Sequence, residues 1–288
     1  MENESSPIFA SRKQHNIYAA LRNRNFLAGL FLTLLFLFMA VFGPVFAPYD
    51  PYDQNLQFKT ESFSREHLLG RDELGRDLLS RILYGARYSL AMAFAAVATG
   101  LTIGSTFGSI SGFFGGIVDI IIMRITDIML AFPELLLAIA ISAILGPGYT
   151  NLIIAISIAS IAPFTRLVRG QVLSLKEKGY VLGARAVGAS NRRIILIHIL
   201  PNCMAQLIVK ATYSLALAII FASGLSFLGL GAKPPTPEWG VMLSRGRDYF
   251  RDAPHIVAVP GIFITICILG LNLLGDGLRD VTDPRLVY

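Results

Sequence analysis

The stretch YSLAMAFAAVATGLTIGSTFGSISGFFGGIV, residues 88–118, contains no Asp, Glu, Lys or Arg. A helix needs about 20 consecutive apolar residues to cross the hydrocarbon of a bilayer, and this run exceeds that length. It also sets Gly100, Gly104, Gly108, Gly112 and Gly116 at successive i, i+4 positions, which lays bare backbone along nearly one helical face. Lipid gives apolar helices no hydrophobic drive to associate, so glycine rows of this kind let two backbones approach and gain dispersion contacts. Close packing inside a helical bundle is the favoured reading of the row, ahead of a pore-lining or gating role.

Outward from this run, residues 25–49, 211–232 and 253–275 are equally free of those charges and long enough to span. Residues 128–165 are interrupted only by Glu134 and hold Gly146-Pro147-Gly148 near their middle, the signature of two helices joined by a tight turn. The expectation is an all-α membrane protein with six transmembrane helices, since the runs show helical length and not the ten-residue alternation of a barrel. Composition agrees: 54% of residues are apolar or aromatic and 15% charged, where soluble domains run near 25% charged. That excludes a disordered chain and argues against a soluble enzyme.

The net charge of +6 is dispersed over several loops, so no basic face for nucleic acid is expected. Cys203 and Cys267 lie in apolar surroundings without Cys/His spacing, so they read as small buried hydrophobes and no metal site is expected. The first apolar run is too long for a signal-peptide core of roughly 7 to 15 residues and reads as a retained anchor. With the N-terminus inside, the cytoplasmic connections hold 14 Lys and Arg and the outer ones 10. This leans toward the positive-inside rule, although the basic first outer loop opposes it.

The connection between the fourth and fifth helices, residues 166–202, holds seven basic residues and one acid, Glu177. Within it YVLGARAVGA, residues 180–189, suits a short helix stopped at Gly188, where glycine can take the left-handed conformation that reverses the chain. A second helical stretch, residues 192–200, then runs into Pro201. Two readings stay open: an L-shaped element with Gly183, Ala184 and Ala186 letting a partner surface approach, or an interfacial helix pair lying on anionic lipid. Arg124 and Asp127, three apart, are expected to pair on one helix face near the membrane boundary. Glu134, directly after Pro133, is a candidate for a cavity-facing carboxylate, and Asp127 and Glu134 are the candidate residues of a translocation path. Residues 77–90 show an amphipathic pattern on the outer side, and Trp239, after a proline-rich segment, reads as an interface anchor. The chain has no phosphate-binding loop, HExxH or Ser/His/Asp arrangement, and no catalytic residue is expected in it.

The segment YVLGARAVGASNRRIILIHILPN, residues 180–202, resembles the EAA loop of permease subunits of ATP-binding cassette importers. That pattern is Glu-Ala-Ala, three residues, Gly, nine residues, Ile-x-Leu-Pro. Gly188, Ala184, Leu200 and Pro201 match it; Leu182 stands where it has Glu, Gly183 where it has the first Ala, and His198 where it has Ile. HLLGRDELGRDLLSRILYGARYSL (residues 67–90), residues 119–133, GLSFLGLGAKPPTPEWGVMLSRGRDYF (224–250) and NLLGDGLRDVTDPRL (272–286) are similar to the peptide and nickel branch, in its second permease of DppC/OppC type.

The resemblance implies a type I, MetI-like bundle in a bacterial inner membrane, multi-pass, with both termini cytoplasmic. It divides the chain into a cytoplasmic tail (1–25), a first transmembrane helix (26–47), an extracytoplasmic loop with an amphipathic helix (48–87), a five-helix permease core (88–275) and a C-terminal cytoplasmic tail (276–288). Tyr180, Leu182, Gly183, Ala184, Arg185, Gly188, Ala189 and Ser190 would couple it to a separate ATPase. A homologous second permease would complete the path, an external solute-binding protein would deliver substrate, and the chain would need no cofactor of its own. Di- and oligopeptides are the implied substrates, with nickel or its chelates, glutathione and D,D-dipeptides as alternatives. A stand-alone secondary transporter or channel is the reading from another class, and neither inverted repeats nor paired intramembrane carboxylates favour it.

Overall fold

A computed structural model describes residues 23–282. Residues 276–282 of the expected C-terminal tail continue the last helix, while residues 1–22 and 283–288 of the expected tails lie outside the described residues. Within them the chain is helical: α1 Arg24–Phe46, α2 Leu78–Phe114, α3 Gly116–Leu130, α4 Glu134–Leu145, α5 Tyr149–Leu175, α6 Gly179–Ala186, α7 Asn191–Phe227, α8 Trp239–Gly246 and α9 His255–Thr282. Helices α1, α2, α5, α7 and α9 are each long and apolar enough to cross a membrane, and α3 with α4 forms a sixth candidate bent by 90°.

That bend divides the expected third helix, read from residue 128 to the turn at Gly146-Pro147-Gly148, at Pro133. Pro133 lacks an N–H and disfavours helical geometry at Phe132, so α3 stops at Leu130 and α4 restarts at Glu134. The 12 residues of α4 rise only about 18 Å, short of the roughly 30 Å of hydrocarbon. A crossing here therefore needs both arms.

Two further boundaries shift. Helix α2 is continuous from Leu78, so the division between loop and core at 87/88 falls inside one helix, capped by the Asp77 carboxylate on Ser80 N at 2.7 Å. The stretch 192–200 does not end at Pro201. It opens α7 through a π-helical segment, Ile194–Ile199, whose wider turn leads directly into the proline-bearing start of Leu200–Phe227. The connection expected at 166–202 shrinks to residues 176–190, because α5 carries Arg166 and Arg169 within its helix.

The glycine row packs α2 on α5. A methyl group at Gly100 would stand 2.7 Å from Ser160 Cβ, at Gly104 2.6 Å from Phe164 Cβ, at Gly108 2.6 Å from the Thr165 carbonyl and at Gly112 2.9 Å from Val172 Cβ. Gly116 leaves the row: with Gly115 it forms a positive-φ turn (+66° and +59°) that links α2 to α3. Glycines also seat α1 on α9, where Gly29 meets the backbone of Leu273 and Leu274, and Gly277 meets Phe26. Asn23 caps α1 on Phe26 N and donates from Nδ2 to Asp280 at 2.9 Å. The start of α1 and the end of α9 thus lie on the same face.

Residues 47–77 and α8 close the opposite end around the first turns of α2. The amphipathic reading held for one side only: Leu78, Ile82 and Ala86 are fully buried, but so are Arg76, Asp77 and Arg81. Asp72 accepts from Arg76 Nε at 2.6 Å and lies 3.2 Å from Arg81 Nε, while Arg81 Nη1 donates to the Pro51 carbonyl at 3.0 Å. Trp239 is not an interface anchor. It is wholly buried, its Nε1 donates to the Ile82 carbonyl at 3.1 Å, and its ring meets Phe36 edge-on at 5.8 Å. Glu238 beside it caps α8, accepting from Gly240 N, Val241 N and Ser226 Oγ, and burial raises its carboxyl above the usual range against those bonds.

Candidate functional site

Helix α6 is the element to which the sequence assigned function, and the residues around it fix its position. At the end of α5, Lys176 Nζ reaches across to the Gly112 carbonyl at 3.1 Å. One turn on, Val181 is completely buried and Ala184 packs partly against the core. The Arg185 guanidinium lies over the Phe113 ring at 5.6 Å. The helix then closes in a double cap: Ala189 N donates to Ala184 O and Gly188 N to Arg185 O, both at 3.0 Å, with Gly188 at φ +82°. This is the 6→1, 5→2 pattern that needs a residue in the left-handed region, and glycine takes it without steric cost. Ser190 Oγ then accepts from Arg193 N at the start of α7.

The structure therefore brings Tyr180, Leu182, Gly183, Ala184, Arg185, Gly188, Ala189 and Ser190 into one helix and its turn. Nothing lies within 4 Å of a methyl group built at Gly183 or Gly188. Tyr180, Leu182 and Val187 are 46%, 50% and 85% exposed.

The two candidate path residues separate. Asp127 does not use Arg124; it pairs with Arg166 of α5 at 2.5 Å, on the exposed side of the α3–α5 contact. Eight residues earlier on α3, Asp119 takes a two-pronged pair from Arg169 at 2.6 and 2.7 Å and a hydrogen bond from Ser111 Oγ. Local i, i+3 spacing could not reveal partners 39 and 50 residues away. Glu134, at the first turn of α4, borders a gap with Ser160 and Pro163 of α5 and Ser214, Leu217 and Phe221 of α7. Its volume, about 10 Å³, admits about one water at most.

Sequence reasoning missed a recess of about 840 Å³ at the opposite end, bordered by Glu73, Arg76, Arg81, Lys233, Arg245 and Arg247. Its only sequence signal was the density of charges in residues 71–81 and 233–252, segments read as an amphipathic helix from residue 77 and a proline-rich entry with an interface tryptophan. Among groups there, Glu73 is held above the usual carboxylate range by burial and then by the neighbouring Asp72 charge.

Residues 104–288 match the family model of the binding-protein-dependent transport system inner membrane component. The chain belongs to this family. Residues 19–64 also match the N-terminal TM domain of oligopeptide transport permease C. The di/tripeptide transport system permease protein DppC of Pseudomonas aeruginosa is 48% identical, covering 92% of this chain and 89% of its own. The dipeptide transport system permease protein DppC of Alkalihalophilus pseudofirmus is 46% identical over 92% of this chain and 87% of its own. The glutathione transport system permease protein GsiD of Pectobacterium atrosepticum is 46% identical over 90% and 86%. An inward-facing MetNI methionine ABC transporter chain superposes with a TM-score of 0.56 at 20% identity, covering 70% of this chain and 97% of that one, which identifies the shared fold.

As a binding-protein-dependent inner-membrane component, the chain is a multi-pass, non-catalytic membrane subunit, and membership implies ATP-binding subunits beside it.

Proposed function

We propose that this chain is one half of the translocation path of an ATP-binding cassette importer for di- and oligopeptides. A second, homologous permease supplies the other half, a solute-binding protein delivers substrate at the recessed end, and separate subunits hydrolyse ATP. Two relatives named for dipeptides and di/tripeptides support the substrate class. Glutathione, itself a peptide, is the second reading, because the relative named for its transport is as similar. The observation that carries the coupling role is α6: a short helix held at one side, closed by Gly188 at φ +82°, with its other side exposed. In this orientation α6 and the described ends of α1 and α9 face the cytoplasm.

The test is assembly with the ATP-binding subunits and peptide uptake at matched membrane levels. Gly188→Val puts a β-branched residue in the left-handed region, a cost of about 1–2 kcal/mol, and should lose coupling while the apolar spans still insert. Gly183→Ala enters open space and should be tolerated. Normal uptake by Gly188→Val would refute the docking role. Cysteine in place of Arg65 should label from outside and cysteine in place of Lys176 only from inside; the reverse refutes the orientation.

A further inference from the structure

The face that α6 turns away from the protein is built from Gly179, Tyr180, Leu182, Gly183, Ala186 and Val187, with exposed Arg185 at its edge as the one charged group of the helix. The seven basic residues of this region divide into two sets. Arg166 and Arg169 pair with acids of α3, Lys176 bonds the Gly112 carbonyl and Arg185 covers Phe113. Lys178, Arg192 and Arg193 are exposed and flank the helix in the chain on either side. The result is an uncharged centre with a basic margin, in which Glu177 is the one acid.

Lipid does not suit this arrangement. An interfacial helix sets its cations on the helical side opposite its apolar side, whereas here the opposite side holds Val181 and Ala184, packed on the protein.

We infer that the groove receiving α6 on the ATP-binding partner is apolar at its floor and acidic at its rim, and that it offers no cation to residue 182. This rests on the coupling role proposed above and specifies its chemistry. An uncharged floor is required because Leu182 and Val187 would otherwise desolvate a charge that they cannot pair. An acidic rim is required because Lys178, Arg192 and Arg193 otherwise meet like charge or nothing.

The experiment uses the complete transporter with its own ATP-binding subunits, comparing assembly and peptide uptake for Leu182→Glu, Leu182→Met, the Lys178→Gln/Arg192→Gln/Arg193→Gln triple variant and Gly188→Val. Leu182→Glu should weaken assembly about tenfold or more, because a carboxylate enters an apolar floor without a partner. Leu182→Met, conserving volume, should retain it. The triple variant should weaken assembly and flatten its dependence on salt. If Leu182→Glu assembles as well as the native chain while Gly188→Val fails, the docking role stands and the apolar floor is overturned. If the triple variant keeps native strength and salt dependence, the acidic rim is overturned. If Leu182→Glu and Gly188→Val both assemble and transport normally, the docking role itself falls.

Discussion

The two ends of this molecule treat charge in opposite ways. At the end made by residues 47–77, α8 and the start of α2, Asp72, Arg76, Asp77 and Arg81 are almost completely buried, and each has a partner on the same chain. His67 Nδ1 and Asp77 Oδ1 are 2.8 Å apart there, beneath the Tyr49 ring. At the other end, Lys178, Arg192 and Arg193 stand exposed around a helix whose outward face is apolar. The buried network of the first end is completed within the chain, so it acts as a clamp holding a proline-rich loop and Trp239 on α2. The second is shaped for something outside the chain. Charge density in the sequence is similar at both; what differs is whether the fold supplies the counter-charge.

The largest expected effect breaks the buried end. Asp72→Ala removes the carboxylate shared by Arg76 and Arg81 and leaves both guanidinium groups buried without their main partner. Loss of one side of a buried ion pair costs about 3–5 kcal/mol, so the thermal midpoint in detergent should fall steeply. Arg192→Ala at the exposed end should change it by no more than about 0.5 kcal/mol. Equal effects from the two substitutions would show that the clamp is no more buried in solution than the loop. Next comes Trp239→Ala, which empties a wholly buried site between Phe36 and Ile82 and should cost about 3–5 kcal/mol, measured the same way.

A smaller effect is expected where α2 crosses α5. Gly104→Val places its Cβ 2.6 Å from Phe164 Cβ and must push the helices apart. Overpacking of this kind costs about 1–3 kcal/mol, whereas the same valine at Gly183, in open space, replaces a residue of poorer helix propensity and should not lower stability. Unfolding of both variants in one detergent compares them directly.

These contrasts explain what the sequence could disclose. Runs without charges revealed four of the crossings and the run interrupted only at Glu134 a fifth, because hydrocarbon tolerates few ionised groups and the runs are long. The bend at Pro133 was not legible, since an apolar composition on both sides masks it. Helix ends were misplaced where charges sit within helices: Arg166 and Arg169 belong to α5 because Asp127 and Asp119 meet them, and that pairing depends on the fold. Gly188 was legible from local chemistry alone, because a helix stop is written in adjacent residues. Trp239 and Arg81 were not, because their burial comes from segments 154 to 157 positions apart, as in Arg81 Nη1 to the Pro235 carbonyl and Trp239 Nε1 to the Ile82 carbonyl. A single-chain periodicity shows one apolar face and is silent about what covers the other.

The smallest effect sharpens the comparison within the buried end itself. Glu73 lies 3.0 Å from Arg76 Nη2, yet burial and the Asp72 charge together outweigh the pull of Arg76 and Arg81, and its carboxyl titrates above its ordinary value. An acid whose pKa is raised on folding binds its proton more tightly in the native state than in the unfolded one. Between the two pKa values the native state then holds more protons, so stability falls as pH rises through that interval and the deficit persists at neutral pH. Below the unfolded value, about 4.3, both states are protonated and the deficit is absent. Glu73→Gln removes the ionisation while keeping a polar side chain of the same size. It should therefore raise the thermal midpoint at pH 7 by no more than a few degrees, and the gain should shrink as the pH is lowered toward 4. A lower midpoint at pH 7 would show that the Arg76 pair outweighs the cost of burial, and Glu73 would then join Asp72 as a stabilising member of the clamp.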